Sequence, residues 1–545
     1  MLRFQCLESE RRQVFIKDGK GHGMPIVKHL DYVLFSIVVS LSFRKKARIM
    51  TPGHWVTASA PPSNAAHPLA QDTCHGEVNF DMQPQLIPES NYLMRMADGT
   101  IKQVNPFTGT EVWTVPGRGN RPLGVGPLAP APLNPDQHDA HCAFCARRYL
   151  ETPPEKARLI RTGNGFATLR HLHAEALFDT VAEFRRVPDL FEIVSLDYWR
   201  KNFGYRIPDA IAAHQRDYLA SEAGRRHVLQ VVEQRLKASG MDEAARNRLS
   251  QEEKLQMASA FFGGGHEVIV ARRHYAEGAT HDDRLASSGT LTPEEHYQYL
   301  RFTIDAAREL YVLNRYVRYV AVFQNWLKPA GASFDHLHKQ LVAIDERGVQ
   351  NDIELQRVRA NPNLYNEAAV NFAAYRNLVV AENDHAIAYA GFGHRYPTLE
   401  IFSKSERSQP WNHAPEELRG MSDLVHACHA AAGSDIPCNE EWYYKPPDVD
   451  VPMPWRVLIK WRVSTPAGFE GGTKIYVNTI DPETLRDRVV PRLFQLKNEG
   501  RIAPMKIAFE CDCVPNCLRY NPAVRRQEFA HPEFPPLTNG PSREG

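Results

Sequence analysis

The chain has 545 residues, which exceeds one ordinary domain and suffices to bury a large core or two related halves. Its 65 Lys and Arg residues balance 64 Asp and Glu residues, and the net charge of +1 disfavours a general role in binding nucleic acid or anionic membranes. Nine cysteines are too few for a disulfide framework over this length, so we expect a reducing, cytosolic setting with metal-binding thiols.

The N-terminal part, residues 1–88, is predicted to be a largely disordered extension. Residues 51–80 are rich in Pro, Ser, Ala and His, a composition that cannot bury a core. The apolar run at 32–43 is shorter than the roughly 20 residues that a spanning helix needs, and no small-residue cleavage site follows it. An anchor or signal segment and a non-native extension both stay open.

The first ordered motif is an Asn-Pro-x-Thr-Gly turn that begins at Asn105 and leads into a strand predicted over 110–115. Arg118 and Arg121 leave the end of this strand three residues apart. Paired guanidinium groups can bind phosphate oxygens bidentately, although two surface arginines are more often simply solvated.

A Cys-x-x-Cys pair follows at Cys142 and Cys145. Two thiolates at this spacing can chelate one zinc ion, but two ligands do not complete a site. A redox pair is the alternative, and it is disfavoured because no thioredoxin-like context surrounds the pair.

A helical insertion is predicted over residues 196–265. The apolar positions between 228 and 236 share one helix face, and Ser250 to Glu253 forms a capping box. We expect a packing or lid element here. A second cap at Thr292 predicts a long helix that ends near Leu313.

The central stretch is His336-Leu-His338-Lys-Gln340, which follows a turn of small residues. Strands are predicted at 319–323 and 340–344 on either side. On a strand, the two histidines and the glutamine would project from one face. Such a pair of histidines could be a metal pair, a polar pair on a strand, or a nucleophile with its neighbour.

The C-terminal half, from about residue 365 to 500, is again predicted to be α/β. Its clearest feature is the glycine-rich segment 465–478, for which a plain hairpin is the alternative interpretation. Three thiols near the end could bind a second metal ion; they are Cys511, Cys513 and Cys517. The tail over 529–545 is predicted to be disordered.

Three of these segments resemble galactose-1-phosphate uridylyltransferases and related nucleotide phosphorylases, the transferase branch of the histidine-triad superfamily. They are Asn-Pro-x-Thr-Gly with Arg-x-x-Arg-Pro, Asn-(x)5-Gly-Ala-Ser-(x)2-His-x-His-x-Gln, and Ala-Gly-Phe-Glu-x-Gly-Thr. The resemblance implies an α/β (α+β) fold of two histidine-triad-like repeats with antiparallel sheets and packed helices. The first repeat, 89–350, would hold the catalytic site and the insertion, and the second, 351–528, would be degenerate and hold a sugar-binding loop.

The resemblance also implies roles for individual residues. His338 would be the nucleophile, with Gln340 and Ser333 on phosphate oxygens and Asn325 as the orienting amide. The implied substrate-binding residues are Arg118, Arg121, Asp189, Gly331, Phe469 and Glu470. The implied ligands of a structural zinc ion are Cys142, Cys145, His274 and His336. A closed set of four ligands leaves no position for an activated water.

The implied activity is nucleotidyl transfer from a nucleoside diphosphate sugar through a nucleotidyl-histidine, most like a UDP-glucose:hexose-1-phosphate uridylyltransferase of galactose metabolism. An ADP-glucose or dinucleoside polyphosphate phosphorylase is the alternative, and a non-catalytic nucleotide-sugar-binding protein is another. Nucleotide sugars and sugar phosphates would be the ligands, and the sugar loop admits a homodimer. The chain departs from the family at Asp189 (commonly Asn), at Leu327 (commonly Gly) and at Arg456, where relatives carry a second His-x-His.

Overall fold

The computed structural model describes residues 91–118, 130–134, 136, 138–163 and 165–523, together with five short strands before residue 80. The apolar run at 32–43 and the tail at 529–545 lie outside the described residues, as does nearly all of the extension over 1–88. Residues 1–80 and 81–545 are separate compact units. Of the helices described, none combines the length and hydropathy needed to cross a bilayer.

Five short strands are described in the first unit. They are β1 (Phe4–Gln5), β2 (Phe15–Lys17), β3 (Gly23–Pro25), β4 (Met50–Thr51) and β5 (His54–Trp55). The first three pair antiparallel in one small sheet, and the other two pair with each other.

The second unit contains sixteen strands among the residues described. They are β6 (Leu93–Arg95), β7 (Ile101–Val104), β8 (Glu111–Thr114), β9 (Ala157–Thr162), β10 (Gly165–Arg170), β11 (Ala182–Pro188), β12 (His266–Ala271), β13 (Tyr319–Trp326), β14 (His338–Ile344), β15 (Val379–Glu382), β16 (Ala386–Gly391), β17 (Thr398–Ser403), β18 (Cys438–Tyr443), β19 (Arg456–Trp461), β20 (Ile475–Asn478) and β21 (Lys506–Ile507).

Twelve α-helices accompany them in the same described part. They are α1 (Leu196–Phe203), α2 (Asp209–Ala220), α3 (Glu222–Ala238), α4 (Glu243–Arg248), α5 (Gln251–Met257), α6 (Ser259–Gly263), α7 (Pro293–Leu313), α8 (Val349–Ala360), α9 (Phe372–Tyr375), α10 (Pro415–Ala432), α11 (Gly468–Thr473) and α12 (Pro482–Asn498).

One antiparallel sheet of twelve strands forms the centre of the second unit, in the order β10-β9-β11-β12-β14-β13-β18-β19-β17-β16-β15-β21. The six strands from β9 to β14, within residues 157–344, form one half of the sheet, and the remaining six, within residues 379–507, form the other half. The halves join where β13 pairs with β18, which places Asn325 opposite Asn439. The predicted α/β class with antiparallel sheets is confirmed.

The two faces of this sheet differ. Helix α7 contacts β12, β13 and β14, while α10 contacts β16, β17 and β19. Lys339 lies on this helical face, with its Nζ 4.9 Å from the ring centroid of Tyr299 in α7. Because side chains alternate along a strand, His338 and Gln340 project from the opposite face. That face carries the site.

A smaller sheet packs nearby, in the order β20-β8-β7-β6. Its strands β20 and β8 are parallel, with Ile475 opposite Glu111, although they come from opposite ends of the unit. The N-terminal motif and the glycine-rich segment therefore lie side by side.

Local signals predicted the elements well. Thr292 accepts from the N–H of Glu295, Pro293 occupies the first turn, and the helix ends at Leu313 as expected. The predicted Ser250 capping box is present. The six helices α1 to α6 span the predicted insertion. The strand after His-x-His begins at His338, two residues earlier than predicted.

Candidate active site

Four metal-ligand side chains meet beside the sheet: Cys142, Cys145, His274 and His336. Their ligand atoms all lie within 4.8 Å of one another. The two Sγ atoms are 3.8 Å apart, and the Sγ to Nδ1 distances run from 3.4 to 3.8 Å. The cluster could therefore bind a metal ion, and no comparable cluster occurs elsewhere in the described part of the chain.

His336 is fixed for this role by its second nitrogen. Its Nε2 lies 2.7 Å from the carbonyl oxygen of Ala271, and a carbonyl can only accept. Nε2 must therefore carry the proton, which leaves the lone pair of Nδ1 directed at the two sulfur atoms. The ring is fully buried, at 0% exposure.

His338 is oriented in the complementary way. Its Nδ1 donates to the carbonyl oxygen of His336 over 2.7 Å, so in the neutral ring Nε2 holds a free lone pair. The side chain is only 4% exposed, and this burial lowers the pKa of His338 below its usual value. The neutral, nucleophilic form is favoured as a result.

Phe144 links the cysteine pair to this histidine. It lies between the two thiols in sequence, and its ring centroid is 5.4 Å from that of His338 and 4.5 Å from that of Phe334. It also packs against Val187, Val268 and Val270. The metal loop thus supplies one apolar wall for the His338 imidazole.

Gln340 belongs to a hydrogen-bond chain with His266 and Asp189. The N–H of Ile193 donates to Nδ1 of His266, so Nε2 carries the proton and donates to Oε1 of Gln340 over 3.2 Å. An Asp189 carboxylate oxygen lies 3.7 Å from the same Nε2. Because Oε1 is occupied, the amide N–H groups of Gln340 remain to donate to an anion.

Asn325 is held by the second half of the chain. Its Oδ1 accepts from Nδ2 of Asn439 over 2.7 Å, and the same Nδ2 lies 2.8 Å from the carbonyl oxygen of Ala330. Arg462 donates to Oδ1 of Asn439 over 2.7 Å. Asn439 and Arg462 therefore fix the side-chain amide of Asn325.

The loop after β13 contains Gly331 and Ser333, which are both exposed. Gly331 has φ +88°, and its N–H donates to the carbonyl of Lys328 within the turn. Leu327 has φ +66° and ψ 157°, a conformation that glycine adopts readily and that costs other residues about 1–3 kcal/mol. A glycine at position 327 would avoid this cost.

Arg118, Phe469 and Glu470 form a separate group at the smaller sheet. The ring centroid of Phe469 lies 6.4 Å from that of Trp113, and Phe469 is 46% exposed. Burial alone would raise the pKa of Glu470, but the hydrogen bond from the N–H of Ala467 and the positive charge of Arg118 hold this pKa below its usual value. Among the residues described, no contact joins this group to His338. Arg121 lies outside the described residues.

The structure separates two residues that the strand pattern grouped. We predicted that His336, His338 and Gln340 would project together, but His336 precedes β14 and turns into the metal cluster. The three C-terminal thiols belong to no metal-ligand cluster among the described residues.

Three contributing residues were not identified from the sequence. They are His266 at the start of β12, Phe144 between the two cysteines of the pair, and Asn439 in β18. The partner of Asn439 lies 114 residues away, a separation at which no local pattern exists.

A protein-family model described as a domain of unknown function (DUF4921) matches residues 96–520. Among curated proteins, an ADP-glucose phosphorylase from Arabidopsis thaliana is 26% identical over 178 residues, 31% of this chain and 50% of that protein. The chain thus spans about half the length of this curated relative.

Solved structures show similar but distant folds. An ADP-glucose phosphorylase from Arabidopsis thaliana with bound ADP-glucose is 17% identical, with a TM-score of 0.47 over 72% of this chain and 98% of that one. A GalT-like protein from the same plant is 18% identical, with a TM-score of 0.44 over 65% and 92% of the two chains. A uridylyltransferase is 18% identical, with a TM-score of 0.36 over 42% and 76%.

Proposed function

We propose that this chain, which belongs to the family described as a domain of unknown function (DUF4921), is a nucleotidyltransferase that acts on nucleoside diphosphate sugars. The curated relative, an ADP-glucose phosphorylase, supports the resemblance to galactose-1-phosphate uridylyltransferases and related nucleotide phosphorylases. The observation that carries the proposal is the free Nε2 of His338, set by the hydrogen bond from Nδ1 to the His336 carbonyl.

In the proposed reaction, Nε2 of His338 attacks the α-phosphorus of the nucleotide sugar. A phosphorus–nitrogen bond forms, the bond from phosphorus to the bridging oxygen breaks, and sugar 1-phosphate leaves with the electron pair. An oxygen of a phosphate-bearing acceptor then attacks the same phosphorus and breaks the phosphorus–nitrogen bond.

Gln340 and Asn325 are proposed to stabilise the charge that develops on the non-bridging oxygens. Both amides are fixed by neighbours through their oxygen atoms, which leaves their N–H groups free to donate. Ser333 and Gly331, exposed in the loop next to Asn325, are proposed to contact the same phosphate. Asp189 is proposed to lie near the base.

The metal ion is proposed to be structural zinc. Zinc bonds of about 2.3 Å to sulfur and 2.0–2.1 Å to nitrogen give tetrahedral edges of about 3.8 and 3.6 Å. The observed 3.8 Å and 3.4–3.8 Å separations fit these edges, and two thiolates with two imidazoles are a donor set that zinc prefers. Bound zinc would hold three chain segments together and leave no open position for substrate.

Two acceptors are compatible with this site, a hexose 1-phosphate and inorganic phosphate. The curated relative at 26% identity is an ADP-glucose phosphorylase, which favours inorganic phosphate with ADP-glucose as the pair to test first. The exposed Phe469 and the half-buried Glu470 are proposed to reach the sugar of a substrate bound in a second copy of the chain.

The test measures sugar 1-phosphate release from ADP-glucose and UDP-glucose, with inorganic phosphate or galactose 1-phosphate as the acceptor. We expect acceptor-dependent turnover that falls roughly 10⁴-fold or more in His338→Ala. Intact-mass spectrometry after incubation without acceptor should show one nucleotidyl group on the wild-type chain and none on the variant.

His227→Ala is the matched control, since His227 is also a buried histidine, bonded to Tyr218 and to the Thr152 carbonyl within the insertion region. It should keep both turnover and the adduct. Binding of nucleotide sugar without turnover or adduct would contradict the proposal and support a binding protein. Turnover that survives in His338→Ala would exclude the covalent route.

A further inference from the structure

A cavity of about 560 Å³ lies on the site face of the large sheet, but in the second half of the chain. None of the residues proposed for catalysis lines it. The N-terminal Asn105 turn closes one side, because Gly393 passes so near that a Cβ there would lie 2.1 Å from the N atom of Asn105. The cavity falls in the size range of small-molecule sites.

Its charge is strongly positive. The lining includes Arg395, Arg456, Lys460 and Arg462, against one carboxylate, Glu441. Lys460 pairs with Glu441 over 2.6 Å, and the buried Arg456 pairs with Glu354.

Two of these arginines have no such partner. Arg395 and Arg462 form no ion pair with any residue in the described part of the chain. Aromatic rings support them instead: Arg462 lies 4.5 Å from the centroid of Tyr396, and Arg395 lies 4.8 Å from that of Tyr476. The buried Nε of Arg462 also has no hydrogen-bond partner among the described atoms. Two uncompensated guanidinium groups at one cavity favour an anion with several acceptor oxygens.

Polar groups suited to hydroxyls line the rest of the cavity. Thr108 and Thr110 share a 2.8 Å hydrogen bond at the tip of the Asn105 turn, and the carboxylate of Glu441 can accept further hydrogen bonds. Polar surface exceeds apolar surface in the cavity lining. Such a lining suits a sugar better than a lipid or an aromatic ligand.

We propose that this cavity is a second ligand site that binds a small sugar phosphate, with the phosphate on Arg395 and Arg462 and the sugar hydroxyls toward Thr108 and Glu441. The site does not depend on the proposed transfer reaction. The cavity is connected to the candidate active site, however, because Arg462 donates to Asn439, which in turn donates to Asn325. An occupied cavity therefore acts on the orientation of the Asn325 amide.

Equilibrium dialysis of the full-length, metal-loaded chain with glucose 1-phosphate tests the site. Arg395→Ala should weaken one class of binding about 10- to 100-fold, as expected for the loss of a charge-assisted contact. Arg315→Ala is the control, because Arg315 is also exposed and lies 4.9 Å from the ring of Tyr316, away from the cavity. This control should bind as the wild type does. Thermal unfolding checks that both variants are folded.

His338→Ala separates the two sites. It should abolish turnover and keep the Arg395-sensitive binding, so failure of the transferase proposal leaves this result intact. Inorganic phosphate should compete weakly and glucose should not compete measurably. Equal affinity of wild type and Arg395→Ala for glucose 1-phosphate would refute the proposed site. Inorganic phosphate that binds as tightly as glucose 1-phosphate would refute the proposed contacts to the sugar.

Discussion

The contact between His266 and Gln340 yields a quantitative prediction. In His266→Ala, Oε1 of Gln340 loses its donor, and the carboxamide is free to turn away from the transferred phosphate. The bond joins two neutral groups at 3.2 Å, so its loss is worth about 0.5–1.5 kcal/mol. We expect kcat with the best nucleotide sugar to fall roughly 2- to 13-fold.

The kinetic pattern distinguishes positioning from damage. Because Gln340 is proposed to act on charge that develops in the transition state, kcat and kcat/KM should fall together while KM changes little. His266→Gln, which restores an N–H donor, should recover part of the loss. His413→Ala, a buried histidine of the second half bonded to Ser403, controls for cavity formation. Unchanged kcat in His266→Ala with wild-type metal content, or no recovery in His266→Gln, would refute the reasoning.

Two further predictions concern stability. A strong zinc chelator should lower Tm and abolish turnover together, because losing the ion releases the loop that places Phe144 against His338. Added zinc should restore both Tm and turnover. Turnover that persists at zero metal content would contradict this prediction. Burial raises the pKa of Asp423 to about 6, so the protonated folded form is favoured and stability falls as pH rises from about 4 to 6. Asp423→Asn should therefore raise the free energy of unfolding at pH 7.5 by up to about 3 kcal/mol. Tm should rise with it at pH 7.5 and change little at pH 4. A Tm difference independent of pH in thermal scans would show that another effect dominates.

Much of the fold follows from short-range signals in the chain. The Thr292-Pro-Glu-Glu cap specifies the start of α7, because Thr292 Oγ1 accepts from the N–H of Glu295 and the Glu295 carboxylate accepts from the N–H of Thr292. The strands around His338 follow from their β-branched and apolar residues. The metal ligands lie up to 194 residues apart, so only the family resemblance, and no spacing rule, indicated the full set.

The contacts that complete the site follow from pairing between distant strands. The register of β13 against β18 brings Asn439 to Asn325, and a shift of β18 by one residue would turn Asn439 to the helical face. His266 reaches Gln340 because β12 pairs with β14. Neither register is encoded in a short window. The positive φ of Leu327 is equally invisible, since the residue type argues against it.

The parallel pairing of β8 with β20 bears on biosynthesis. Glu111 must wait for Ile475, about 360 residues later, before this edge of the small sheet is covered. At ribosomal rates of about 5–20 residues per second, the delay is roughly 20–70 s. During that time the nascent chain exposes an unpaired strand edge next to Trp113, which is a template for wrong association. Truncated chains that end before β20 would keep this unpaired edge permanently. The yield of folded protein on expression should therefore depend on the C-terminal third of the chain, although His338 lies before it.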